Sequence, residues 1–229
     1  LATYINGTQV MKDQTILINS SKVVEKNKFN ATKKSADDFK IIAKGKLIRV
    51  IEAIDGQLIT NELKLEGKIV DGFFVSDIER DILKIAVINR YKDTIPSIGF
   101  IRNFKLKKGA IASSVAHDSH NIVAVGTSDD LLCKAVNAVI ESKGGLAVAD
   151  SDNVYSLELT VGGLMSTEKG ESVAEKYSRL NEIAKSLGTK LKAPLMTLSF
   201  MSLLVIPKLK LSDKGLFDGS KFEFVELFV

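Results

Sequence analysis

The chain has 229 residues, 45% of them hydrophobic and 26% charged, with 32 Lys and Arg against 28 Asp and Glu. That length allows one large domain or two small ones with a sizeable core, and no apolar run approaches the ~20 residues needed to span a membrane. The lysines are scattered among acids with no aromatic stripe, which argues against a nucleic-acid binder, and Cys133, the only cysteine, points to a reducing, cytoplasmic setting without disulfides.

Residues 1–70 read as short strands. Tyr4–Val10 is strand, Asn-Gly turn, strand, a strong hairpin signal. Thr15–Ile18 and Phe39–Ala43 add two more, and the stretch Asn19–Asp38 between them, rich in Lys, Asn and Ser, reads as a loop with at most a weak helix. Leu47–Ile54 is apolar and β-branched, Asp55-Gly56 turns, and Ile59–Leu65 follows as a strand. The opening Leu1-Ala2-Thr3 runs directly into strand-like residues, as if an earlier part were missing.

From about Gly72 the texture changes. Ile82–Asn89 and Ile98–Phe104 are apolar strands, with a loop at Lys92–Ser97. Ala110–Val115 and Ile122–Val125 read as buried strands on either side of a short polar run. Thr127-Ser128-Asp129-Asp130 has a capping-box pattern, and Leu131, Leu132, Ala135, Val136, Val139 and Ile140 form one apolar helix face ending at Gly144-Gly145. Leu146–Asp150 and Tyr155–Thr160 make a hairpin. A second helix covers about Glu168–Leu187, with Val173, Tyr177, Leu180, Ala184 and Leu187 inward and Gly188 as its stop. Met196–Ile206 and Phe222–Val229 look strand-like. This order predicts an α+β fold of mixed α/β layers. A small β-rich unit over 1–72 precedes a helix-on-sheet domain over 73–229.

The polar run is His117-Asp118-Ser119-His120-Asn121, and it holds both histidines of the chain. On a regular strand, positions three apart face opposite ways. Both rings can meet one metal ion only if the backbone turns between them, which small Ser119 permits. Asp118 then serves as a further ligand or orients a ring. A satisfied polar network, a substrate-facing site and general acid–base chemistry remain open to the same residues. Gly162-Gly163-Leu164-Met165-Ser166 precedes the second helix and is either a tight turn or a backbone cradle for a ligand. Cys133 reads as core rather than nucleophile. Ser113 and Ser114 lack the surroundings of a nucleophile elbow. Phe222, Phe224, Phe228 and Val229 are candidates for an interface.

At the histidine run a family becomes recognisable. The stretch Lys107–Asn121 (KKGAIASSVAHDSHN) closely resembles the C-terminal region of bacterial adenine deaminase, in the amidohydrolase superfamily. Glu79–Lys84, Gly162–Ser166, Pro194–Phe200 and Ile206–Leu216 agree with it. The resemblance runs from about Asp77 to the end. More loosely, residues 1–70 look like strands completing the family's small β-sandwich.

The resemblance implies a metal-dependent hydrolase that converts adenine to hypoxanthine and ammonia, with manganese or iron as the metal. It also implies an upstream (β/α)₈ barrel that carries most metal ligands, including a His-x-His pair not found in this sequence. His117, Asp118, Ser119, His120 and Asn121 are then expected to close the purine site, with His117 and His120 as candidate metal ligands. No residue of this chain is singled out as catalytic, and the chain alone is expected to be inactive. A homo-oligomer is expected. The competing readings are a free-standing purine- or metal-binding module and a structural, oligomerising domain.

Overall fold

The computed structural model describes residues 1–19, 24 and 26–229. Part of the loop expected over 19–38, at residues 20–23 and 25, lies outside the described residues. Strands β1 (Ala2–Ile5), β2 (Thr8–Lys12) and β3 (Thr15–Ile16) form a three-stranded sheet in which β1 is exposed throughout. The Asn6-Gly7 turn sits at positive φ in both residues, as the hairpin reading requires.

The stretch expected as a strand over Phe39–Ala43 differs. A 3₁₀ helix occupies Ala36–Phe39, and only Ile41–Ile42 (β4) is strand. Asp38 explains this: its carboxylate accepts from the Ser35 backbone N–H at 2.7 Å, closing the turn that carries Phe39 inward. Strand β5 (Leu47–Ala53) pairs antiparallel with β6 (Thr60–Glu66). Next come β7 (Lys68–Val70), β8 (Phe73–Val75), β9 (Leu83–Ile88), β10 (Ser97–Arg102), β11 (Ala110–Ser113) and β12 (Ile122–Gly126). Helix α1 (Asp129–Glu141) precedes the hairpin of β13 (Gly145–Ala149) and β14 (Val154–Glu158). Helices α2 (Gly170–Ser186) and α3 (Pro194–Ser199) follow, and β15 (Leu209–Ser212), β16 (Gly215–Asp218) and β17 (Glu223–Val225) close the described chain.

The centre is an eight-stranded sheet in the order β14-β13-β11-β12-β9-β10-β5-β6. All its pairs are antiparallel except β10 with β5. Because β5 and β6 belong to it, the sheet crosses the boundary expected at residue 72. The fold is α+β in mixed layers, as the element order predicts.

The sheet is covered on both faces, and side-chain size alternates with the pleat. Ala86, Ala110, Ala112, Ala124, Ala147 and Ala149 face α1 and pack with Leu132, Val136 and Val139. Leu83, Ile85, Val87, Ile111, Val123, Val125 and Val148 face the other way, toward α2, α3 and the β15–β16 hairpin. The small face lets α1 approach closely. A Cβ on Gly126 would lie 2.8 Å from Leu132 Cγ, so that position tolerates only glycine.

One charge lies under α1. Lys84 is fully buried, and its ammonium donates to Phe39 O at 2.9 Å and to both Asp129 oxygens at 2.6 and 2.9 Å. Burial pushes the Lys84 amine down and the Asp129 carboxyl up, and each charge offsets the other's shift. The α1 cap is Ser128, whose Oγ accepts from the Leu131 N–H at 3.3 Å. The capping box expected at Thr127 does not form, because Thr127 Oγ1 donates to Gly109 O instead and the cap passes to Ser128, whose N3 residue, Leu131, has no side-chain acceptor.

The largest departure is in the tail. Met196–Ile206, expected as strand, contains α3 and turns. Pro194 opens the helix, where its missing N–H costs nothing, and Leu195 and Leu198 share its buried face. Phe228, expected at an exposed interface, stacks on Phe74 with centroids 5.8 Å apart. Phe222, Phe224 and Val229 are exposed. No helix among the described residues is long and apolar enough to cross a membrane.

Ser128→Ala is expected to lower stability by about 1 kcal/mol, the usual cost of losing a cap. Lys84→Ala should cost ~3–5 kcal/mol, since it leaves Asp129 without its counter-charge under the helix. Thermal melts of the two variants check the ranking, and equal melting temperatures would contradict it.

Candidate functional site

The histidine run joins β11 to β12 across the end of the sheet. Both strands are buried along their whole length, so the ends of the connection are fixed. Ala116 is buried at its base, and the His120 N–H closes a turn onto Ala116 O at 2.6 Å. His120 adopts φ 51°, the left-handed region, which turns the chain back toward its own start. The turn between the histidines, required if the rings are to meet, is therefore present. The ring centroids lie 5.7 Å apart, edge to face.

Each histidine is held differently. The His117 N–H donates to Ser199 O at 2.9 Å, and its ring stacks on Phe200 at 4.9 Å and 24°. His120 is half-buried, and its Nδ1 is buried without a hydrogen-bond partner. Burial lowers the His120 pKa, with the His117 and Arg90 charges adding to this and Asp118 opposing it. Asp118 and Ser119 are exposed at the crest of the loop. Asn121 is buried, and its Oδ1 accepts from the Arg90 backbone N–H at 3.3 Å.

Arg90 and Tyr91 complete the wall, and sequence reasoning missed both. Arg90 is only 5% exposed. Its guanidinium donates to Gly162 O at 2.6 Å and to the Tyr91 hydroxyl at 2.9 Å, and lies over the Tyr91 ring at 4.7 Å. The Tyr91 hydroxyl in turn donates to Ser119 O at 3.0 Å. The signal was a polar Asn89-Arg90-Tyr91 ending an otherwise apolar strand. Phe200 and Ser199 were missed because α3 was expected to be strand.

The Gly162–Ser166 stretch is a turn closed by a Val161–Met165 bridge, four residues before α2 begins. A Cβ on Gly163 would lie 1.9 Å from an Arg90 nitrogen, and Gly163 adopts φ 72°. Its glycine therefore admits Arg90 rather than a ligand. Ser114 is fully buried, and its hydroxyl donates to Gly163 O at 2.6 Å and accepts from the Gly145 N–H at 2.8 Å. That leaves it no nucleophilic role. Cys133 is half-buried on α1 and donates to Lys34 O, and burial raises its pKa.

A cavity of about 600 Å³ opens beside the loop, walled by Leu157, Leu159, Val173, Tyr177, Met196 and Ser199. Among the described residues, no group of three or more His, Cys, Asp and Glu is gathered where it could hold a metal ion. A catalytic zinc-type centre needs about three protein ligands. Two imidazoles, one of them stacked on Phe200, do not make a complete site. What the loop exposes for hydrogen bonding is the Asp118 carboxylate and the Ser119 hydroxyl, beside a neutral-leaning His120 imidazole whose unpartnered Nδ1 is buried.

Residues 57–223 match the family model of the adenine deaminase C-terminal domain. Over its full length the chain is 53% identical to an adenine deaminase of Methanosarcina mazei and covers 43% of that protein. Over 98% of its length it is 50% identical to an adenine deaminase of Borreliella burgdorferi, covering 41% of it. Over 99% of its length it is 48% identical to one from Salinibacter ruber, covering 42%. The chain spans less than half the length of these curated relatives.

The His120 shift has a signed consequence. Its folded pKa lies below the ordinary 6.5, so the unfolded chain binds more protons in the window between the two values. The stability it contributes is complete above pH 6.5 and is lost as pH falls through the folded value. Urea unfolding of the unaltered chain should show this decline, and His120→Gln should flatten it. An unchanged slope in the variant would refute the assignment.

Proposed function

The chain belongs to the adenine deaminase C-terminal domain family, and on that premise we propose that it serves as the rear part of an enzyme hydrolysing adenine to hypoxanthine and ammonia. The observation that carries this reading is the histidine loop, a polar crest held rigidly by buried strands, with the Asp118 carboxylate and the Ser119 hydroxyl exposed at its top. Adenine presents an acceptor at N7 beside the donor amine at N6. A neutral imidazole has one donor and one acceptor nitrogen, and Asp118 supplies a further acceptor. The loop thus matches the edge of a purine at the atom where the C–N bond is cut.

In this reading His117, Asp118, Ser119, His120 and Asn121 face the mouth of an upstream barrel and close it. Closure excludes water and strengthens hydrogen bonds to the base. The manganese or iron implied by the family resemblance finds no complete ligand set among the described residues. Its ligands are therefore assigned to the barrel, and this chain contributes orientation and closure. Residues 1–72 continue the family's β-sandwich in part, through the separate β1–β3 sheet. The exposed Phe222, Phe224 and Val229 form a contact surface for a second copy. A cytoplasmic setting agrees with the lone cysteine.

The test is deamination of adenine with added manganese. The chain alone should be inactive, and activity should appear when it is joined to or mixed with a matching upstream barrel. In the joined enzyme, His117→Ala with His120→Ala should lower kcat/KM by about 100-fold or more, the usual scale for losing positioned acid–base groups. Turnover by the isolated chain would overturn the division of labour. Normal kinetics in the double variant would overturn the loop's role. Purine binding without turnover even after joining would favour a regulatory module instead.

A further inference from the structure

Lys210 is fully buried on β15, and no carboxylate pairs with it among the described residues. Its amine donates to Leu58 O at 2.6 Å and Phe200 O at 3.2 Å. Burying an amine without a counter-charge is costly, and a methionine would fill the same space without that cost. What the amine adds is its grip on two main-chain carbonyls. Leu58 lies in the connection from β5 to β6, and Phe200 caps the C-terminal end of α3, where backbone carbonyls lack helical partners. The next residues reinforce the junction, since the Leu211 N–H donates to Met201 O at 3.1 Å.

Phe200 and Ser199 are also the two residues that hold His117, one through its ring and one through its carbonyl. We propose that Lys210 is a positioning residue: by pinning the Phe200 carbonyl against the Leu58 turn, it fixes the aromatic surface on which the His117 ring rests. Lys210 does not touch the loop itself and acts only through α3. Its bearing on purine closure rests on the function proposed above, but its hold on His117 does not, and the test reads that hold alone.

Burial by itself brings the Lys210 pKa down to about 8. Asp55 and Lys192 are the charged residues of the cavity that Leu58 and Phe200 help to wall, and neither bonds to the Lys210 amine.

The chain has two histidines, so its imidazole C–H resonances form two resolvable sets, assigned with His117→Gln. Stacking on Phe200 displaces the His117 signal, and Phe200→Leu calibrates the full loss of that displacement. Lys210→Met should lose a large part of it while leaving His120 in place. A purely structural lysine would change the melting temperature without moving the His117 signal, and that result in a folded variant overturns the proposal. If Lys210→Met does not fold, Lys210→Gln takes its place, since its shorter side chain cannot reach both the Leu58 and Phe200 carbonyls, and an unmoved His117 signal in that folded variant overturns the proposal equally. Neither measurement involves adenine, so failure here leaves the proposed function standing, and the reverse holds.

Discussion

The alternation of small and large residues across one buried sheet governs the rest of this molecule. A sheet covered on both faces can accept a helix at short range only where its side chains are short. The alanines of β9, β11, β12 and β13 provide such a face, and α1 lies on it. The β-branched and leucine side chains then crowd the opposite face, which needs a thicker cover of α2, α3 and the β15–β16 hairpin. The thicker side leaves an open cavity, lined by Ser113 and Val115 just before the histidine loop. The close approach of α1 also explains Lys84. Its long side chain crosses the alanine layer, and its charge meets Asp129 in the first turn of the helix. An acid there also complements the helix dipole.

Much of this was legible in the sequence, for reasons that differ by element. Strands β9, β11, β12 and β13 are runs of Ile, Val, Ala and Leu bounded by polar residues, and helix α1 has an unbroken apolar stripe. Local pattern and global fold agree at these places. The tail was misread because Pro194–Ile206 is apolar almost throughout, and a short apolar run carries no period that separates strand from helix. Only Pro194 at the first helical position held the clue. The Phe39 region failed for the opposite reason. A local carboxylate, Asp38, closes a turn that hydrophobicity does not report.

The candidate site divides along the same line. His117 to Asn121 was visible because polar, chemically capable residues interrupt buried strands, and the rigidity of those strands follows from their burial. The partners that shape the loop were not visible, since each reaches it from a distant part of the chain. Arg90 comes from the end of β9, Gly163 from the turn before α2, and Phe200 from the end of α3. Glycine reading shows the same limit. Gly163 could be recognised as a turn, but its other requirement is the guanidinium of Arg90 within its missing side-chain volume, a long-range fact.

The arrangement also accounts for a site so poor in metal ligands yet so firmly built. A loop whose task is to bind a metal must converge its donors on one point. This loop spreads them instead: His117 is stacked on Phe200, Asp118 and Ser119 stand in solvent, and Asn121 turns inward to the Arg90 backbone. His120 keeps its buried ring nitrogen without a hydrogen-bond partner, as does the Nε of neighbouring Arg90. A spread of donors on a rigid crest suits a flat, multi-edged partner better than a point charge. Rigidity also reduces the ordering entropy lost when such a partner is met. The same contacts that spread the loop's donors apart also hold its backbone fixed between β11 and β12.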